Sequence, residues 1–181
     1  MITGRAGLPL VTMTFAAGLA LRDVDRGTWE LVSASSRGLE RVWLVRLALW
    51  LAWAAVVTLV FLAPVEARAH LRHGAVLEVG ATLVDVAVFG CIAASAANDA
   101  GSQSAGILTA LGVWAGGVLV AINPPGPAWL GYATPVSAYF LGGSGGLLLL
   151  NRAAWGTLAA ALVFRQLRRL RYPGEMRFGV E

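Results

Sequence analysis

The residues of this 181-residue chain best suited to chemistry are acidic groups set within apolar runs. Glu78, Thr82 and Asp85 recur at spacings of four and three, so on a helix they share one face, which Ser95 and Asp99 roughly continue. Counted from Ala75, Asp85 falls about 15 Å along that helix, near the middle of a hydrocarbon layer about 30 Å thick. A carboxyl at that depth is costly and must face protein or water. It lines a substrate path, binds a proton, or closes an interhelical pair, for which Arg152 in the last apolar run is the best-placed partner. His70 and His73, three apart in an exposed loop without further ligands, read as a solvated pair rather than a metal site. The single Cys91 excludes an intrachain disulfide and reads as a small buried apolar group. All 14 positive side chains are Arg, so the Lys of a phosphate-cradling G-x-x-x-x-G-K-[ST] loop is missing. The expectation is a non-enzyme that binds no metal and no cofactor of its own.

The elements that must position these groups follow from hydropathy. With 57% hydrophobic and 13% charged residues and a mean hydropathy of +0.70, the composition is that of an all-α integral membrane protein. Five spans are expected, over 6–21, 47–63, 75–97, 105–122 and 146–164, forming one transmembrane domain over 1–181. Helices are the open-chain way to satisfy backbone groups in lipid. The segments 22–46 and 165–181 carry five Arg each, and the opposite side has Arg5, Arg68, Arg72 and Arg152. Ten against four puts the rich segments, and with them the C-terminus, in the cytoplasm. The first span covers only about 24 Å and begins on the outside, as though a segment were missing upstream. A cleaved signal peptide is the competing account of that run. Gly112 and Gly116, one turn apart in the fourth span, are expected to let another helix approach closely.

One charged stretch stands out, Arg22 to Arg46, with nine charges in 25 positions between apolar runs. Gly27 permits a sharp turn and Thr28 can cap a short helix opened by Trp29, with Trp29 and Val32 on one edge and Glu30 elsewhere. Ser35 or Ser36 could cap a second helix entering the membrane, placing Arg37 and Arg41 on one face and Trp43 at the interface. A solvated amphipathic loop would look similar. A rigid charged knob beside an entering helix can also pass a push from a cytoplasmic partner into the bundle.

The run Asp23, Asp25, Gly27, Thr28, Glu30, Leu31 forms an acidic-x-acidic-x-Gly-Thr-x-Glu-Leu pattern, with the basic Arg46 opening the next span. It resembles the cytoplasmic motif of permease subunits of type-2 ABC exporters, where the motif leads into a short coupling helix. The likeness extends through a polar break at Asn98-Asp99, a Pro-rich outer connection over 123–145 and a basic tail over 165–181. Members of that family usually start inside and have six spans, so the resemblance implies a further span ahead of those expected here, and Ser33-Ala34-Ser35-Ser36 replaces a frequent Pro. The resemblance implies a subunit of the bacterial inner membrane that couples through Asp23, Asp25, Gly27, Thr28, Trp29, Glu30, Arg37 and Arg41 to a separate ATPase subunit. That partner would hold ATP and Mg, and a second permease subunit, like or related, would complete the transporter. The implied cargo is amphipathic or lipid-like, and nucleic acid is not an expected partner.

In the outer connection, Pro124, Pro125, Pro127 and Pro135 prevent a continuous span, while Trp129, Tyr132, Tyr139 and Phe140 suit the headgroup level. Short outer-leaflet helices, which the resemblance places at the exit, and an ordinary aromatic-rich loop both fit. Arg165, Arg168, Arg169 and Arg171 lie within seven positions and can each gain roughly 1 kcal/mol from anionic lipid. The alternatives to an exporter subunit are a proton-coupled carrier using Asp85 and a non-transporting scaffold or remnant.

Overall fold

A central helix touches all four others in the computed structural model, which describes residues 2–19, 39–66, 75–123, 133–136 and 145–171. The helices are α1 (Ile2–Ala17), α2 (Leu39–Glu66), α3 (Ala75–Ala100), α4 (Gln103–Ile122) and α5 (Gly145–Arg171), with no strand among the described residues. α2, α3, α4 and α5 are each long and apolar enough to cross a membrane; α1 is a shorter apolar helix. The central one is α3, with half of its apolar window buried against about a fifth for the other three. Its apolar face is built from Val86, Phe89, Ala93 and Ala97, small enough toward its end to admit neighbours closely.

Contacts fix the directions. Met13 and Ala17 of α1 pack with Phe89, Ala93 and Ala97, so α1 runs parallel to α3. Asp85 meets Arg152 and Asp99 meets Arg165, so α5 is also parallel to α3. α2 runs against α1, with Trp50 Nε1 donating to the Thr12 carbonyl at 3.2 Å and Arg46 Nη1 to the Leu19 carbonyl at 3.1 Å. The Arg46 bond satisfies backbone left over where α1 ends.

Helix boundaries differ from hydropathy. Hydropathy alone places the start of α2 at 47, but the helix expected to enter the membrane from Arg37 is there, running from Leu39 through Arg41 and Arg46, because backbone bonding continues although their charges lower the hydropathy. The apolar run expected over 6–21 is helical over Ile2–Ala17 and turns at Gly18 and Leu19. The polar pair Asn98-Asp99 lies in the last turn of α3, and the break between the third and fourth spans follows two residues later. α3 continues to Ala100 and stops at Gly101, whose φ of 62° is the left-handed conformation that glycine tolerates. Ser102 N–H then donates back to the Ala97 carbonyl, and the Ser102 side chain caps α4 by accepting from Ala105 N–H. The basic run expected as a tail is partly helix, since α5 continues through Arg171.

The close approach expected at Gly112 and Gly116 is elsewhere as well, since a Cβ on either would meet nothing within 4 Å. α4 instead meets α3 at Gly106, where a Cβ would lie 2.4 Å from the Ala93 carbonyl oxygen and 2.6 Å from the Ala97 Cβ. Asp23, Asp25, Gly27, Thr28, Trp29, Glu30 and Arg37 lie outside the described residues, as do His70, His73 and most of 123–145.

Candidate functional site

Two helices, α3 and α5, and one short irregular segment converge on Arg152. The side chain is 5% exposed and its Nη1 donates to Asp85 Oδ1 of α3, which is fully buried. The same nitrogen donates to the Pro135 carbonyl at 2.5 Å and to Asn151 Oδ1 at 3.2 Å. Asp85 lies about 15 Å along α3 and Arg152 about 10 Å along α5, so the pair is well inside both helices. Removing two charges from water costs several kcal/mol each, and a buried pair persists only when its remaining polar atoms find partners.

The segment 133–136 supplies part of that satisfaction and receives some in turn. Its first three carbonyls all accept from α5: Ala133 from Trp155 Nε1 at 2.9 Å, Thr134 from Asn151 Nδ2 at 3.0 Å, and Pro135 from Arg152. Irregular backbone beside apolar helices needs such donors, because a buried carbonyl left bare costs about as much as a lost hydrogen bond. Pro135 and Val136 are buried, and the space they fill is left open by Gly117 of α4, where a Cβ would come within 3.2 Å of Val136 Cγ2. Residues 151, 152 and 155 occupy one face of α5, so a single helix face holds the segment.

Of the acidic face expected on α3, Asp85 joins Arg152 in this site. Thr82 is buried and donates to the Glu78 carbonyl at 2.9 Å. Glu78 is about 10 Å from Asp85 along the axis, one turn before Thr82. Arg41 is exposed in the first turn of α2.

A second polar cluster closes α3 against α5 at the Arg-rich end. Asp99 pairs with Arg165 at 2.9 Å and with Arg169, and accepts from Gln166 Nε2 at 3.3 Å. Gln166, 2% exposed, also accepts from Asn98 Nδ2 and donates to the Ser95 carbonyl, both at 3.4 Å. Arg165 and Arg169 are therefore engaged by protein, while the Arg168 guanidinium lies 5.9 Å over the Phe164 ring. Asn151, Trp155 and Gln166 were missed as site residues. Their signal was available, because each is a polar-tipped side chain on the inward face of an otherwise apolar helix.

The described residues thus define an all-helical bundle compatible with a membrane location, held by a buried ion pair at mid-height and a half-exposed one at its Arg-rich end. Compared with protein-family models, curated proteins and solved structures, the chain gives no match.

Proposed function

We propose that the chain is the membrane-spanning permease subunit of an ATP-driven ABC exporter, driven by a separate ATPase and moving an amphipathic cargo. In this reading α1 is a fifth span, the protein lies in the bacterial inner membrane with its C-terminus cytoplasmic, and short helices in 123–145 rest in the outer leaflet. A second permease subunit, like or related, completes the path. The carrying observation is the Asp23-x-Asp25-x-Gly27-Thr28-x-Glu30 pattern between two helices that are tied by Arg46, two turns into α2, to the Leu19 carbonyl just past α1 at 3.1 Å. A push on the segment would load both helices, and Trp50 carries the load on to α3.

The test is whether the tagged chain co-purifies with a P-loop ATPase, before and after Glu30→Arg and Gly27→Pro. Loss of the ATPase from both variants, with the bundle still folded, is the expected result. Equal capture after deletion of residues 23–30, or labelling of the segment from outside intact cells, would overturn the proposal. A proton-coupled carrier is the second reading, favoured by the full burial of Asp85 within α3. It requires transport that collapses with the proton gradient while ATP is plentiful.

A further inference from the structure

Three oxygens converge on a single nitrogen of Arg152. Nη1 of a guanidinium carries two hydrogens, yet three oxygens surround it: Asp85 Oδ1, the Pro135 carbonyl and Asn151 Oδ1. A primary ammonium carries three. The acceptors are also fixed in direction. Asn151 turns its oxygen to the site because its Nδ2 is committed to the Thr134 carbonyl, and Pro135 is buried against Gly117 of α4.

We propose that Asp85, Asn151 and the Pro135 carbonyl form a binding site for a primary ammonium group, in which Arg152 is the resident occupant that an incoming amine replaces. The exchange keeps the carboxylate paired, since a bare Asp85 would be a strongly destabilising buried charge, and it moves the cost to the displaced Arg152 guanidinium, which loses its carboxylate. The substrate class that follows is an amphipathic primary amine, its ammonium seated at Asp85. That this amine is exported rests on the permease reading; that the site binds an ammonium does not.

The experiment uses the full chain in lipid nanodiscs with Arg152→Ala, which removes the resident cation. Methylammonium is titrated against tetramethylammonium, which has the same charge and no N–H, and thermal unfolding is followed. Methylammonium is expected to raise the melting temperature of Arg152→Ala in a saturable way, with an eleven-fold shift in the folding equilibrium at about ten times its Kd. Tetramethylammonium should leave it unchanged, and so should methylammonium with the double variant Asp85→Asn/Arg152→Ala. Equal stabilisation by both cations, or the same response without Asp85, would overturn the site. Should Arg152→Ala not accumulate, it is expressed and extracted with methylammonium present. Recovery of folded protein only with methylammonium supports the site, and no recovery while the double variant folds refutes it. Either result leaves the ATPase capture experiment to stand or fall separately.

Discussion

Adding one methyl group at Gly90 should loosen the link between α1, α2 and α3. An ideal Cβ there lies 1.9, 2.4 and 2.8 Å from three carbons of the Trp50 six-membered ring, distances that no packed methyl tolerates. The ring cannot swing away freely, since Trp50 is 5% exposed and its Nε1 is tied to the Thr12 carbonyl. Overpacking of this kind costs about 1–3 kcal/mol, and giving up the indole hydrogen bond adds about 1 kcal/mol. Replacing Gly by Ala inside a helix returns about 1 kcal/mol. The net for Gly90→Ala is about 1–3 kcal/mol, or a roughly 5- to 150-fold fall in the folded-to-unfolded ratio. Trp50→Leu removes the three clashing carbons, so in that background Gly90→Ala should be neutral or stabilising by up to about 1 kcal/mol. The assay is a double-mutant cycle read by denaturant titration in mixed micelles. An equal penalty for Gly90→Ala with and without Trp50 would refute the reasoning, because the clash would then not be with that ring.

Gly106→Ala should separate α3 from α4 and lower the melting temperature, while Gly112→Ala, facing open space, should be neutral or raise it slightly; paired thermal scans decide. Asp85→Asn should cost about 3–5 kcal/mol because it strands a buried guanidinium, whereas Asp99→Asn, beside half-exposed arginines, should cost about 1 kcal/mol or less and less still in high salt. Unfolding midpoints at two salt concentrations check both. Trp155→Phe keeps the ring but leaves the Ala133 carbonyl without its indole donor, so a cysteine placed at Val136 should label faster in that variant, and an unchanged rate would detach Trp155 from the segment.

The long apolar helices were legible because in lipid the length of an uncharged run is itself the physical constraint. Their ends were not, because hydropathy registers charge whereas a helix ends where its backbone bonding does. Arg41 and Arg46 interrupt the apolar run but not α2. Asn98 and Asp99 looked like a break, yet their side chains reach Gln166, Arg165 and Arg169 on α5, and the turn waits for Gly101. Asp85 and Arg152 could be matched because each is a costly charge needing a counterpart at similar depth. The carbonyls of residues 133–135 could not be foreseen as acceptors, since every residue carries one and only tertiary placement selects these three. Gly112 and Gly116 misled for a related reason: a motif of small residues records room for a neighbour and not the presence of one.

Two cross-ties join α3 to α5, one at Asp85 and one at Asp99, about 21 Å apart along the axis. Parallel rods braced at two levels resist shear, so a displacement applied near Asp99 arrives near Asp85 with little bending in between. Because the tie at Asp85 also holds the Pro135 carbonyl, that beam carries the irregular segment 133–136 with it.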